Sequence, residues 1–416
     1  MKKESQKARG ARDLLPADMQ RFRAIENSFI ESCSRWGYKE VRTPTLEYLN
    51  LFTSAGTLTP AMLNKVYSFL DWDGWSGDRV VLRPDGTIPV ARLYMENMAK
   101  AGDAKLFYVS NMFSFESTGK ENREKWQCGV EYIGHDKPSI DVEMIALAME
   151  ILAKTGLKNL KIKLSHAGII KALLSSLVVD NDEYVRVLDQ VNHGNWQYLM
   201  GIKSAGQDTK NLVSLLLNIK GKSTGFLENI KALPRVSGEL KGSLENLSGI
   251  TSILDELDYP YRIDIAATQN FEYYTGLNFQ IVYKNSTVVS GGRYNDLLPL
   301  MGAGKVPACG FALYTDQLMK HISDEDGTNI NQVIGIYAAI DHATTRAVFK
   351  MADFLHKNGY PSEINASTNK ERYRWLIKYE KSSSSFVLTD CMTKQSRKVA
   401  PDRKLLDIIK QSKTAE

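Results

Sequence analysis

The four cysteines of this chain, Cys33, Cys128, Cys309 and Cys391, are widely separated and form no CxxC pair. That spacing argues against a disulfide framework or a structural zinc site, and it fits a reducing cytoplasm. No apolar run approaches the roughly 18 residues that a membrane helix needs. The basic N-terminus, MKKESQKARGARD, leads into no hydrophobic segment and does not read as a signal peptide. Phosphate-cradling glycine motifs are missing as well. SGGRY (Ser290–Tyr294) has neither the GxGxxG spacing nor the GK[ST] of a P-loop, so its glycines suggest only close backbone approach to a small molecule. No self-similarity at a fixed period emerges, which excludes a repeat array. Neither a metal site nor a cofactor is expected.

What is present is ordinary for a soluble globular protein of two or three domains: 416 residues, 43% hydrophobic and 24% charged. The net charge of +5 is unevenly spread, since Val333–Glu416 holds 15 Lys+Arg against 9 Asp+Glu. A basic terminal segment is a possible footprint for nucleic acid. Without clustered aromatics, solubility is the simpler explanation.

The central stretch is KLFYVSNMFSFESTGKENREKWQCGVEYIG, Lys105–Gly134. It reads as strands over Leu106–Val109, Met112–Glu116 and Trp126–Ile133, with a polar charged loop before the last. Period-two alternation puts Gln127, Gly129 and Glu131 on one side of the third strand, so an amide and a carboxylate project together from a sheet floor. Upstream, an amphipathic helix spans about Ala17–Trp36 and ends at Gly37, and a strand closes at Pro44. The turn RPDGT places Asp85 and Thr87 before a helix over Ile88–Met98, where they cap the helix, meet a ligand ammonium, or do both, since caps and ligand contacts often share a helix start.

Further along, the helix PSIDVEMIALAMEILAKTGL leads to a strand ending at His166, a residue expected to pack rather than react. Residues 168–255 turn helical and read as an insertion in the sheet domain. Strands return at Tyr261–Ile265 and Leu277–Tyr283, with Tyr273 and Tyr274 in the bend between them. VPACGFALYTDQLMKHI gives a short strand entering a helix, with Gly310 at the junction. A first domain over 1–322, a polar linker at 323–332 and a terminal domain over 333–416 follow from composition. The terminal domain reads as small α/β with a largely parallel sheet of three strands and helices over Arg346–Asn358, Lys370–Lys378 and Arg403–Gln411.

GARDLLP, WGYKEVRTPTLE, LRPDGT, QCGVEYIG, EYYTG, SGGRYNDLL and ACGFALYTDQL occur in an order and spacing that resemble histidyl-tRNA synthetase, over about residues 8–320. The resemblance implies an α+β fold: a class II synthetase-like antiparallel sheet flanked by helices, with a helical insertion and a shortened anticodon-binding-like terminal domain. It implies dimerisation through the motif around Pro44. It also carries a histidine pocket onto Asp85, Thr87, Gln127, Glu131, Tyr273 and Tyr274.

Aminoacyl-adenylate formation needs fixed positive charge around the ATP phosphates. Where the synthetase pattern supplies three arginines, this chain has Ser114, Gln269 and Gln317. Arg123 and Arg293 belong to other positions. An amino-acid pocket kept beside a dismantled ATP pocket resembles the histidyl-tRNA synthetase-like regulatory subunits of ATP phosphoribosyltransferase. That resemblance implies no catalytic residues of its own, a short-form catalytic subunit as partner, histidine as effector and a homodimer within a cytoplasmic hetero-octamer. A tRNA-sensing pseudo-synthetase and an active histidine–tRNA ligase are the alternatives.

Overall fold

The computed structural model describes residues 7–55, 63–71, 77–177, 180–192, 195–202, 206–217, 227–228, 238–265, 273–322, 333–337, 342–364 and 373–411. The expected linker at 323–332 lies outside them, as does Gln269. The chain divides into two compact units, Met1–Asp326 and Gly327–Glu416.

The first unit opens with helix α1 (Pro16–Arg35), started by Pro16 in its first turn and by the Asp18 side chain accepting from the Leu15 N–H at 3.1 Å. It stops at Gly37, whose φ of +83° suits a glycine, with Tyr38 N–H closing back onto the Cys33 carbonyl at 3.0 Å. Short strand β1 (Lys39–Glu40) follows, and the ladder breaks before Pro44. Beyond the proline, β2 (Leu46–Tyr48) runs into helix α2 (Leu49–Ser54) and pairs with β4 (Arg79–Leu82), which also pairs with β3 (Ser68–Leu70) in a separate three-stranded sheet. Helix α3 (Thr87–Asn97) then leads to strands β5 (Ala104–Phe113) and β6 (Glu124–Ile133) and helix α4 (Pro138–Lys154).

After β7 (Lys161–His166) come helices α5 (Ala167–Leu177), α6 (Asn181–Asn192), α7 (Gln207–Leu217) and α8 (Gly238–Glu256). Strands β8 (Tyr261–Ile263), β9 (Leu277–Tyr283) and β10 (Ser286–Arg293), short helix α9 (Leu297–Leu300), strand β11 (Ala308–Tyr314) and helix α10 (Thr315–Met319) complete the unit. Among the described residues the main sheet has eight strands in the order β1-β5-β6-β11-β10-β9-β7-β8. Only β1–β5 and β7–β8 in it are parallel pairs.

The pleat sorts this sheet into two faces. Phe107, Val109, Cys128, Val130, Phe279, Phe311 and Leu313 pack under α1 and α4, against Phe22, Ile25, Phe29 and Ile145. Phe29 meets Phe107 edge-on at 5.8 Å between centroids. Each such fully buried side chain contributes about 1.5–3 kcal/mol. Leu106, Tyr108 and Ile133 point the other way, towards α3 and the α9 region. His166 is buried, with Nε2 3.2 Å from the Asn246 amide oxygen, and burial pushes its pKa down to about 4, so it packs in neutral form.

Several local expectations are corrected. Residues 106–116 do not form two strands: β5 is continuous to Phe113, because Ser110 and Asn111 pair in register with Gln127 and Trp126, leaving Phe115 and Glu116 in the loop. Gly310 is not at a strand–helix junction but inside β11, where the Glu131 side chain occupies the space a Cβ would need. SGGRY is no open glycine turn. Gly291 and Gly292 sit in β10, and their missing Cβ atoms make room for Phe311 and Tyr274 rather than for a ligand.

In the second unit β12 (Ile334–Tyr337), helix α11 (His342–Lys357), β13 (Ser362–Ile364), β14 (Trp375–Glu380), β15 (Ser385–Asp390), β16 (Ser396–Val399) and helix α12 (Arg403–Gln411) build a five-stranded sheet ordered β13-β12-β14-β15-β16. The helix expected over Lys370–Lys378 is contradicted by β14, which is paired on both sides; the run Trp375–Leu376–Ile377 is buried on both faces and lacks alternation for that reason. The sheet is mixed rather than largely parallel, since β14–β15 and β15–β16 are antiparallel. Strand β16 escaped notice because SRKV is a charged edge strand.

One buried ion pair ties the sheet to its helical layer. Arg293 Nε donates to Asp141 Oδ1 at 3.0 Å, with both residues no more than 2% exposed, and Nη1 donates to the His135 carbonyl at 3.1 Å. Burial raises the Asp141 carboxyl to about 6, and the arginine opposes that rise. Removing one partner strands the other charge. Asp141→Asn is therefore expected to cost about 3 kcal/mol, whereas Asp141→Leu with Arg293→Met costs less than either single change. Denaturant unfolding of Asp141→Asn, Asp141→Leu, Arg293→Met and the double variant checks this, and a double variant weaker than both of its single changes would contradict it.

Candidate functional site

The polar face of the main sheet is built by register. Tyr108 of β5 stands opposite Gly129 of β6, and Ser110 opposite Gln127. On the other side Glu131 faces Gly310, Gly129 faces Ala312 and Gln127 faces Tyr314. Long side chains lie down across the small residue of the next strand. Tyr108 covers Gly129, the Glu131 carboxyl covers Gly310, and the Tyr274 ring covers Gly292; a Cβ at any of these glycines would collide with the side chain above it. Small residues thus form the floor of this polar face, the trough, and long polar and aromatic side chains lie across them.

Its head is the start of α3. Asp85 Oδ1 accepts from the Ile88 N–H at 2.9 Å, so the capping role expected for this turn is real. Gly86 admits the Tyr108 ring against the backbone. Thr87 Oγ1 donates to Glu131 Oε1 at 2.8 Å, the Tyr294 hydroxyl donates to Oε2, and the Tyr108 hydroxyl approaches Oε1 at 3.5 Å. Gln127 Nε2 donates to the Tyr108 hydroxyl at 3.0 Å. Tyr273 packs between Tyr274 and Tyr294, with centroids 5.2 and 5.3 Å away, and its buried hydroxyl meets no hydrogen-bond partner among the described residues. All six residues singled out from the sequence thus converge on one side of the sheet.

Electrostatically the site is short of positive charge. Burial pushes Glu131 up to about 8, against the pull of its three hydroxyl neighbours, and Asp85 is raised by burial too. Among the described residues no lysine or arginine pairs with either carboxylate. Two buried acids with hydroxyls and one amide suit a small ligand carrying N–H donors and positive charge. They offer nothing to a phosphate.

Ser114 lies just past the end of β5, its N–H donating to the Arg123 carbonyl at 2.9 Å, and Gln317 sits in α10 beside Lys320. Nearby cations are committed elsewhere. Arg123 Nε donates to the Glu116 carbonyl at 2.8 Å while its guanidinium lies 4.8 Å over Phe115. Arg12 pairs with Asp316, and Arg293 with Asp141. Two members of the cluster escaped the sequence reading, Tyr108 and Tyr294. Tyr108 carried a usable signal, since it alternates with Leu106 and Ser110 on the face that register later shows to be shared with Gln127 and Glu131. Tyr294 closes SGGRY, where the adjacent glycines are the stronger sequence signal.

The family model for histidyl-tRNA synthetase matches residues 10–318. An ATP phosphoribosyltransferase regulatory subunit from Dehalococcoides mccartyi strain BAV1 is 42% identical over 387 residues, 92% of this chain and 93% of that protein. A histidine–tRNA ligase from Methanocaldococcus jannaschii is 31% identical, covering 88% of this chain and 87% of its own length. Among solved structures, the ATP phosphoribosyltransferase regulatory subunit/histidyl-tRNA synthetase from Bacillus halodurans superposes with a TM-score of 0.78 at 24% identity, over 90% of this chain and 98% of that one, and it shares the class II synthetase-like fold. By sequence and by fold, this chain belongs to the histidyl-tRNA synthetase family, among its ATP phosphoribosyltransferase regulatory subunits.

Proposed function

We propose that this chain is a non-catalytic regulatory subunit that activates a separate short-form ATP phosphoribosyltransferase chain and confers feedback inhibition by histidine. One observation carries the reading: the acceptors needed to hold an amino acid are clustered at the buried Glu131 and the half-buried Asp85 and Gln127, while Ser114 and Gln317 stand where nucleotide-binding arginines are expected. Histidine supplies an ammonium for the Asp85–Gln127 end and an imidazole N–H for Glu131, with Tyr273 and Tyr274 as aromatic neighbours. Feedback then requires only that the effector bind two assembly states unequally. Gln269, the third position where an arginine is expected, belongs to the same proposal, as does a cytoplasmic location.

Self-association fits the exposed apolar side chains of the three-stranded sheet after Pro44, namely Leu46, Tyr48, Phe69 and Leu70. The hetero-octamer is the assembly in which such dimers would meet the catalytic chains.

Phosphoribosyl-ATP formation by the short catalytic subunit, measured with and without this chain and with and without histidine, tests the whole reading. Activity is expected only with both chains present, and histidine is expected to suppress it. Glu131→Ala or Gln127→Ala should each abolish the suppression while the two chains still co-elute; wild-type sensitivity in both would place the effector site elsewhere.

The protonation of Glu131 gives a second check. With its unliganded pKa near 8, most of it is protonated at pH 7, and a donor-rich cation binds the ionised form. Histidine affinity should therefore rise between pH 7 and 8, by about fivefold, with proton release on binding. Calorimetry in buffers of different ionisation enthalpy reads that release directly; a flat profile without it would contradict the role of Glu131.

Histidine-dependent exchange of pyrophosphate into ATP separates this reading from an active ligase. Each missing oxyanion-type donor costs on the order of 100- to 1000-fold in rate, so exchange should stay at background. Clear turnover would establish the ligase instead. Steep salt-dependent tRNA binding would favour the pseudo-synthetase.

A further inference from the structure

Tyr108 occupies a position that nothing in the motifs singled out. It is 3% exposed, its ring lies between Gly86 and Gly129, and a Cβ at either glycine would land on it. Its hydroxyl stands between the two polar groups of β6, receiving the Gln127 amide N–H at 3.0 Å and approaching Glu131 Oε1 at 3.5 Å. A phenol has one proton to give. With Gln127 donating to the tyrosine oxygen, that proton is directed away from Gln127, towards Glu131. The amide's NH2 end is then anchored at Tyr108 by one of its two N–H groups, and its carbonyl oxygen is the end turned away from the tyrosine.

We propose that Tyr108 is a positioning residue that ties the orientation of the Gln127 carboxamide to the ionisation of Glu131, so that the pocket presents two acceptors and selects ligands with two separate N–H donors. The proposal rests on the amino-acid pocket described above and adds how that pocket tells its ligand's polarity. When Glu131 is ionised, it accepts from Tyr108, Tyr108 accepts from Gln127, and the Gln127 carbonyl faces the ligand. When Glu131 is protonated, it no longer draws the tyrosine proton, which can turn to Gln127; the amide then rotates and offers its NH2 to the ligand. An ammonium meets an acceptor in the first state and a donor in the second.

The groups facing Glu131 leave Tyr108 in control of that choice. Asp85 and Thr87 come from the head of α3, Tyr294 from the end of β10, Tyr273 and Tyr274 from the bend before β9, and Cys309 from β11. None of these is a cation. Thr87 and Tyr294 spend their own protons on Glu131 and make no contact with Gln127. Tyr108 alone among them touches both.

Tyr108→Phe in the full-length chain tests the link, because it keeps the ring over Gly129 and removes only the hydroxyl. The first readout needs no ligand: an infrared pH titration of the carboxyl band that Glu131→Gln abolishes. Its midpoint is expected to move up by roughly half a pH unit or more when the donor is lost. An unchanged midpoint would overturn the proposal.

The second readout is calorimetric affinity for histidine and for 3-(imidazol-4-yl)propionate, which lacks the ammonium. Wild type is expected to prefer histidine, and Tyr108→Phe should shrink that preference by about tenfold, since a freed amide no longer presents its carbonyl. Equal weakening of both ligands would reduce Tyr108 to a packing residue and overturn the proposal. If wild type ignores histidine while the infrared midpoint still shifts, the effector reading fails and the Tyr108–Glu131 link stands. Should Tyr108→Phe not fold, Gln127→Met removes the N–H that aims the tyrosine proton, and the same infrared shift is expected from it.

Discussion

A carboxylate held at the centre of a β-sheet is the constraint around which this molecule is arranged. Glu131 is 1% exposed, and burying a charge without partners costs several kcal/mol. Three hydroxyls from three different elements offset part of that cost, burial still raising the group to about 8, and each must arrive at the right depth. Glycine makes their arrival possible. Gly310 lets the carboxyl lie flat, Gly129 and Gly86 let Tyr108 reach it, and Gly292 lets Tyr274 close the side. The glycines are thus placed for side chains of the protein itself, and the trough inherits its shape from them.

The opposite face explains why so polar a site is tolerated. Phe107, Val109, Cys128 and Val130 alternate with the site residues along the same two strands and bury themselves against α1 and α4. A one-residue slip between β5 and β6 would exchange the two sets and put Glu131 into the apolar layer. Register is therefore fixed by the core and read out by the site. Arg293 adds a second tether: its backbone carbonyl accepts from Thr275, next to the tyrosine pair, while its side chain grips Asp141 at the start of α4.

Much of this was legible wherever a local period or a short motif carried it. The α1 helix, the β9 strand and the shared face of Gln127 and Glu131 all follow from spacing over a few residues. What stayed hidden depended on contacts distant in sequence. Gly310 looks like a junction until Glu131, far upstream, is laid across it. Strand β14 has no alternation to detect because both its neighbours and both its faces are covered. Tyr108 reads as one more apolar strand residue until Gln127 and Glu131 are seen on either side of its hydroxyl.

Holding an amino acid and activating one make opposite demands on charge. The first needs acceptors that are shielded and oriented, the part proposed for buried Glu131 and half-buried Asp85 and Gln127 with neutral hydroxyl support. The second needs cations aimed at a phosphate and free to meet it. Here Arg12, Arg123 and Arg293 are each engaged by a carboxylate or a carbonyl of the chain. Recruiting any of them to a nucleotide would break an existing contact, and for Arg293 it would strand a buried Asp141. Under the proposed reading, such a trough favours holding a small donor-rich cation over activating it, which is the division of labour a regulatory chain requires.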